Sequence, residues 1–378
     1  MNDQIKYYGE MNISPERQNI DDIKTHYARR AKLYRQCGVP EIAFRDAEML
    51  EVGPGSGYNT LAYFYWNCKH IDLVETNPQG IKDMKRLFAE RGIPENKYHI
   101  FDGIIEDYCT SREFDIIVAE GFLPIVDNKK EIIDKLKKLV NEKGIIIITC
   151  VDKVGFFIEV MKRLAGVSLA RNISSYEEKV QYLTDVFKPQ LAKLRGMSKL
   201  PEDWIKDIIL SPVINNGLEL SLAQAIEYFQ EDFEILGTSP GMFTDYSWSK
   251  DIWYDYKKDY LEQFDRKRLS LLMAGMPEII LPVDIASFLV KGFEDIKDLE
   301  AEYEGTLHMS SIHAIVNRME SMEKFIKQYF ADDFIKCFSE IKDMILRIKD
   351  CEEVNMEKYP HFFKAFGRTQ QYISFAKK

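Results

Sequence analysis

The sequence predicts an α/β fold in which helices cover both faces of a mostly parallel β-sheet. Between residues 41 and 152, short apolar segments alternate with amphipathic helical segments. Segments that are apolar along their whole length are typical of parallel strands buried on both faces. A glycine-rich turn follows the first of these strands, and long helical patterns follow the last. We therefore expect an α/β core with a large helical insertion and a helical C-terminal region.

The composition limits the classes of protein to which the chain can belong. It has 378 residues, of which 46% are hydrophobic, so it can form more than one buried core. A formal net charge of -10 disfavours a nucleic-acid partner. We expect no signal peptide and no membrane-spanning segment, because the apolar runs are short. The six cysteines form no CxxC pair, which favours a cytoplasmic protein with reduced thiols.

The elements follow one another in a regular order. Residues 1–40 predict an N-terminal helical cap, and residues 41–152 predict the α/β core. The predicted core strands are "AEMLEVG", "HIDLVET", "KYHIFDG", "FDIIVAEG" and "GIIIITCV". The helices between them include "NPQGIKDMKRLFAERG", which has a proline near its start and a glycine at its end, as helix boundaries prefer.

Beyond the core, the pattern changes twice. Residues 153–231 have a helical pattern throughout and predict an insertion that covers a substrate as an acceptor lid. Residues 232–262 contain the strand-like segments "DFEILGTSP" (232–240) and "SWSKDIWYDYK" (247–257), which predict the last two strands of the sheet. Residues 263–378 are again mostly helical.

The turn "LEVGPGSG" (50–57) predicts a ligand site at the end of the first strand. It contains Gly53, Gly55 and Gly57. The dinucleotide fingerprint requires its third glycine one position later, where Tyr58 stands, so a pyrophosphate ligand is disfavoured. Glu51 precedes the first glycine, and a carboxylate in this position suits a ligand that carries positive charge.

Three further carboxylates follow later strands, at the sheet edge where ligands of such folds bind. Glu75 ends the second strand, where a carboxylate can accept hydrogen bonds from two ribose hydroxyls. Asp102 ends the third and can accept from an adenine amino group, or it can cap a helix beginning at "GIIEDY". Glu120 follows the fourth and is a candidate to face cofactor or substrate, or to act as a general base.

Taken together, these motifs resemble those of class I S-adenosylmethionine-dependent methyltransferases. The resemblance covers residues 48–150 and extends to residues 232–257. It implies a Rossmann-like seven-stranded sheet and S-adenosylmethionine as the cofactor. The residues implied for the methionine part are Glu51, Gly53 and Gly55; for the ribose, Glu75; and for the adenine, Asp102 with Gly103.

Other candidate residues lie outside this motif. Tyr27 and Arg30 share one face of the N-terminal helix and are candidates to touch the cofactor carboxylate, although a solvated charged helix explains them equally well. In the aromatic-rich segments, Trp204, Asp207 and Asp245 are candidates to contact the acceptor, with core packing as the alternative. The six histidines include no pair typical of a zinc site, and we predict no metal.

Three functions are compatible with these observations. The first is methylation of an oxygen or nitrogen atom in a small molecule, such as a carbohydrate or a secondary metabolite. The second is methylation of a macromolecule, either protein or RNA, of which RNA is disfavoured by the negative charge. The third is a protein that binds the nucleoside without catalysis. The sequence does not indicate the acceptor atom or the oligomeric state.

Overall fold

The computed structural model of the protein describes residues 20, 22–194, 199–212, 220–243, 248–254, 259–352 and 354–378. In these residues, seven strands form one sheet in the order β3-β2-β1-β4-β5-β7-β6. The strands are β1 (Glu48–Val52), β2 (His70–Glu75), β3 (Tyr98–Asp102), β4 (Phe114–Ala119), β5 (Val140–Val151), β6 (Phe233–Ser239) and β7 (Gln370–Lys377).

The strand directions confirm the predicted α/β fold. Strands β1 to β5 pair in parallel, whereas β7 runs antiparallel to both of its neighbours, β5 and β6. Val52 pairs with Ala119, and Glu75 pairs with Asp102, so these strand ends lie at one edge of the sheet. We call this edge the carboxyl edge. The predicted ligand residues therefore share one side of the molecule.

The prediction of a strand at residues 247–257 is wrong. The described part of this segment contains a 3₁₀-helix at Asp251–Tyr254. The Asp251 carboxylate accepts a hydrogen bond from the Trp248 N–H at 2.6 Å, and this local bond favours a turn over a strand. The seventh strand is β7 instead, within the region 263–378 that was predicted to be helical.

The core helices pack on both faces of the sheet. Asn77 caps α3 (Pro78–Glu90), where its side chain accepts from the N–H groups of Gln79 and Gly80, and Pro78 occupies the first helical position. No helix in the described residues is long and apolar enough to cross a membrane. The core helices are α1 (Ile23–Gln36), α2 (Thr60–Tyr65), α3 (Pro78–Glu90), α4 (Lys129–Leu139) and α8 (Leu222–Phe229).

The remaining helices form a second unit, which we call the helical body. It draws on both the insertion and the C-terminal region, because one hydrophobic cluster joins buried residues from 154 to 209 with residues from 269 to 365. In this cluster the Phe157 ring lies 4.7 Å from that of Phe293. The helices of the body are α5 (Phe157–Leu169), α6 (Tyr176–Leu191), α7 (Pro201–Trp204), α10 (Val283–Thr306), α11 (Met309–Tyr329), α12 (Asp332–Lys349) and α13 (Pro360–Lys364), whereas α9 (Tyr260–Lys267) packs its Phe264 into the cluster on the sheet.

Buried charges also hold the helical body together. Helix α5 is buried on nearly every side, and its Arg163 is fully buried. The Arg163 guanidinium donates to both carboxylate oxygens of Glu304, at 2.7 and 2.9 Å, and lies 3.9 Å from Glu300. The sequence divided these residues between an insertion and a separate C-terminal region, but in the structure they share one core.

The helical body is attached to the carboxyl edge of the sheet. The chain enters it from Val151 and from Ser239, and it returns at Gln370, which pairs directly with Val151. Ion pairs reinforce this junction, because Arg268 donates to buried Asp152 at 2.8 Å and to Glu294 at 2.7 Å. The large helical unit therefore lies beside the edge that carries the predicted ligand residues.

Candidate active site

The glycine turn after β1 needs its glycines. Gly53, Gly55 and Gly57 have φ values of +75°, +57° and +77°, which side chains other than glycine rarely adopt. A Cβ atom at Gly57 would lie 2.8 Å from the Met84 side chain and 3.0 Å from that of Phe88. The turn therefore packs closely on α3 and presents bare backbone at the carboxyl edge.

Glu75 ties the end of β2 to this turn. Its side chain is buried, and one carboxylate oxygen accepts from the Gly55 N–H at 2.7 Å. The other oxygen accepts from the Thr76 and Asn77 N–H groups at 2.9 and 2.8 Å. Burial raises the pKa of Glu75, although these hydrogen bonds act in the opposite direction. Because a carboxylate has about four lone-pair sites, about one acceptor position remains for a ligand.

Asp102 lies beside Glu75 in the neighbouring strand. The two residues pair in register, and the Gly103 N–H donates to the Glu75 carbonyl at 3.0 Å. The chain after Asp102 forms turns rather than a helix, so the alternative role of Asp102 as a helix cap does not apply. Its side chain is exposed, and it is therefore open to a ligand.

Glu51 occupies a more enclosed position in β1. Its side chain is buried, and the Thr60 hydroxyl donates to its carboxylate at 2.6 Å. This bond joins the strand before the glycine turn to the first residue of the helix after it. The role of Glu51 toward a positively charged ligand stays a prediction.

Glu120 and Arg30 form the centre of a buried polar network. The Arg30 guanidinium donates to the Glu120 carboxylate at 2.5 Å, and the Tyr34 hydroxyl donates to the same oxygen at 2.7 Å. The Asn59 amide lies 3.4 Å from the other oxygen, and the Tyr34 and Tyr63 hydroxyls are 2.5 Å apart. The network fastens α1 to the end of β4.

This network bears on two predicted roles. Arg30 was expected to contact the cofactor carboxylate, but in the structure its guanidinium is bound to a carboxylate of the protein itself. Glu120 already accepts three hydrogen bonds, so few lone pairs remain to receive a proton from an acceptor. The arrangement therefore suits a residue that fixes the site more than a general base.

Tyr27 lies apart from this network. Its ring stacks on that of Tyr65, with centroids 4.3 Å apart and an interplanar angle of 15°. Tyr65 is 62% exposed, so the pair lies at the surface of α1 and α2. A contact between Tyr27 and the cofactor stays a prediction.

His26 is a further candidate residue, which the sequence analysis did not select. It is buried on α1, and its Nε2 atom lies 3.0 Å from the Tyr58 carbonyl at the end of the glycine turn. His26 stands four residues before Arg30, so both occupy one face of the helix. This spacing was the available signal, but the hydrogen-bond partner is 32 positions away in the sequence.

The predicted acceptor residues lie in different surroundings. Trp204 is 8% exposed in the helical body, and its ring lies 5.7 Å from that of Phe187 and 6.4 Å from that of Phe366. Asp207 is buried and pairs with Lys199. Asp245 lies outside the described residues. Across the described part of the chain, no group of three histidine, cysteine or acidic residues could hold a metal ion.

Part of the chain matches a known protein family. Residues 25–184, which are less than half of the chain, match a family described as a methyltransferase domain. No curated protein matches the sequence.

Several solved structures are similar to parts of the chain. One is PKMT2 from Rickettsia typhi in complex with AdoHcy, with 18% identity, a TM-score of 0.42, and coverage of 63% of this chain and 49% of that one. Another is the N-methyltransferase NodS from Bradyrhizobium japonicum, with 17% identity, a TM-score of 0.32, and coverage of 39% and 74%. A third is an S-adenosylmethionine-dependent methyltransferase from Clostridium acetobutylicum, with 16% identity, a TM-score of 0.27, and coverage of 29% and 44%. The matched region covers about half of the PKMT2 chain and about half of the chain from Clostridium acetobutylicum.

Proposed function

We propose that the chain is a class I methyltransferase that uses S-adenosylmethionine to methylate a small molecule. Residues 25–184 match a methyltransferase domain, which supports this proposal. The acceptor atom in this proposal is an oxygen or a nitrogen. When bound, the cofactor supplies a methyl group that its sulfonium has already activated. The protein then contributes mainly the alignment of the nucleophile with that methyl group.

The residues at the carboxyl edge fit this cofactor. The glycine turn offers bare backbone, because each of its three glycines has a positive φ. Glu75 is a buried carboxylate with about one free acceptor position for a ribose hydroxyl, and Asp102 is exposed beside it for the adenine amino group. Glu51, Gly53, Gly55 and these two carboxylates are the proposed cofactor ligands.

The observation that carries the acceptor proposal is the attachment of the helical body to this same edge. The strands themselves end in short loops, which are too short to enclose both a cofactor and an acceptor. The helical body joins the edge at the ends of β5 and β6 and at the start of β7. A large unit in that position favours an enclosed acceptor, such as a carbohydrate or a secondary metabolite, over an open macromolecular surface.

Other parts of the proposal rest on fewer observations. Trp204 and Asp207 stay predicted acceptor residues, but both are buried, so contact with an acceptor would require the helical body to open. A cytoplasmic location is favoured by the cysteines, all six of which are free thiols. The net charge of -10 disfavours RNA as the acceptor.

Label transfer from methyl-labelled S-adenosylmethionine tests this function. The protein is incubated with the labelled cofactor and a cell extract separated into small molecules, proteins and RNA, with Glu75→Ala as the control variant. We expect label in the small-molecule fraction that depends on Glu75. Label only in protein or RNA would overturn the small-molecule acceptor, and binding of the cofactor product without transfer to any fraction would favour a non-catalytic protein.

A further inference from the structure

The hydrogen bond of His26 determines which of its ring nitrogens carries the proton. Nε2 lies 3.0 Å from the carbonyl oxygen of Tyr58, and a carbonyl can only accept a hydrogen bond. Nε2 must therefore donate its proton. Because a neutral imidazole has a single N–H, Nδ1 of neutral His26 is an unprotonated nitrogen with a free lone pair.

The surroundings of His26 keep the ring neutral. Burial lowers the pKa of His26, and the positive charges of Arg30 and Arg29 act in the same direction. The Tyr58 carbonyl and the Glu120 carboxylate act against this change but are the weaker influences overall. At neutral pH the ring is therefore present mainly in the form with a basic Nδ1.

Nδ1 is also accessible. Among the described residues, the only hydrogen-bond partner of the His26 ring is the Tyr58 carbonyl, which engages Nε2. Nδ1 itself has no partner there, but it keeps some contact with solvent. Although the side chain is only 6% exposed, its Nδ1 atom therefore remains available as an acceptor.

The contacts of α1 place His26 next to the proposed cofactor site. Tyr58 directly follows the glycine turn, and Arg30, on the same face of α1, binds Glu120 at the end of β4. Tyr58 follows β1 and Glu120 follows β4, and these two strands are neighbours in the sheet. The two contacts of α1 therefore lie at the same part of the carboxyl edge. We propose that His26 is a catalytic residue, whose Nδ1 accepts the proton of the acceptor group during methyl transfer.

This step rests on the proposed function, and its bonds, electrons and protons balance. A lone pair of the acceptor oxygen or nitrogen forms a bond to the methyl carbon. The bond between that carbon and sulfur breaks, and its electron pair stays on sulfur, which becomes a neutral thioether. The proton of the acceptor group moves to Nδ1, giving an imidazolium that later loses a proton to water. Glu120, which already holds three donors, is left to orient α1.

Sinefungin provides a probe that does not require the acceptor to be known. In this analogue a carbon bearing an amine replaces the methyl sulfonium, so the amine occupies the position of the transferred methyl group. S-adenosylhomocysteine has no group there. If Nδ1 lies beside that position, it accepts a hydrogen bond from sinefungin and none from S-adenosylhomocysteine.

The experiment compares the affinities of the two ligands by calorimetry in the wild-type protein, His26→Gln and the exposed control His99→Gln. The glutamine amide can still donate to the Tyr58 carbonyl but supplies no basic nitrogen. We expect His26→Gln to lower the preference for sinefungin over S-adenosylhomocysteine by at least about tenfold, the worth of a hydrogen bond to a charged group. The His99→Gln variant should keep the wild-type preference.

An unchanged preference in His26→Gln would overturn the proposal, and so would an equal loss of affinity for both ligands, which would place His26 at the amino-acid part of the cofactor. If the variant does not fold, ¹⁵N-imidazole NMR of the wild-type protein decides. The Nδ1 resonance should shift with sinefungin and not with S-adenosylhomocysteine, and equal shifts would contradict the role. Failure of the wild-type protein to bind S-adenosylhomocysteine would instead contradict the proposed function.

Discussion

Replacing Glu75 with Gln changes the charge at the cofactor site with almost no change in volume. In the wild-type protein, the two carboxylate oxygens accept from Gly55, Thr76 and Asn77. A glutamine can keep its oxygen toward Thr76 and Asn77, but its NH₂ group then faces the Gly55 N–H, and two donors meet. The bond to the glycine turn is lost, and so is the negative charge that a ribose hydroxyl would bind.

The magnitude follows from the bonds involved. A hydrogen bond to a charged group contributes roughly 1.5–3 kcal/mol. Loss of the ribose bond alone should therefore weaken cofactor binding by roughly 10- to 100-fold. Loss of the bond to Gly55 adds a destabilisation of similar size to the turn itself, so the variant should also unfold at a lower temperature.

Calorimetric titration with S-adenosylhomocysteine measures the first effect, and thermal unfolding measures the second. Glu90→Gln is a matched control, because Glu90 is exposed at the end of α3. An unchanged dissociation constant in Glu75→Gln, with the protein folded, would refute the reasoning and place the ribose on other residues.

Three further predictions concern the stability of the folded protein. Gly57→Ala should destabilise the protein by about 2–4 kcal/mol in denaturant unfolding, because its positive φ and its contact with α3 leave no room for a Cβ. Arg30→Met should cost about 3–5 kcal/mol by leaving Glu120 buried and unpaired, whereas Arg35→Met, at an exposed ion pair, should change little. Burial raises the pKa of Glu300 from 4.5 to about 8, so the folded state holds a proton that the unfolded chain releases in this range. Unfolding free energy should therefore fall as pH rises from 4.5 to 8, by at most about 1.4 kcal/mol per pH unit from this group, and Glu300→Gln should show a shallower fall in unfolding temperature.

The sequence predicted the core of the fold because its strands are apolar along their length. Strands β1, β2 and β4 are almost completely buried, as is most of the second half of β5, and a pattern of that kind has few other interpretations. Strand β7 was not predicted because it follows a long, mostly helical region, and its pairing with β5 joins residues over 200 positions apart. The insertion and the C-terminal helices are also far apart in the sequence, so their shared core could not be predicted.

In the candidate site, too, some contacts could be predicted from the sequence and others could not. Glu75 and Asp102 could be predicted, because the ends of neighbouring parallel strands meet at one edge. The pairing of Arg30 with Glu120 could not, since it joins residues 90 positions apart and depends on how α1 crosses the sheet. His26 was missed for the same reason, because its hydrogen bond to Tyr58 becomes visible only when the helix is placed against the glycine turn.

Titration of the wild-type protein with S-adenosylhomocysteine and, separately, with NAD tests the central claim most directly. The glycine turn with Glu51 before it, and with Tyr58 in place of a later glycine, predicts that one molecule of S-adenosylhomocysteine binds per chain and that NAD does not bind. Binding of NAD with no response to S-adenosylhomocysteine would contradict the assignment of the site.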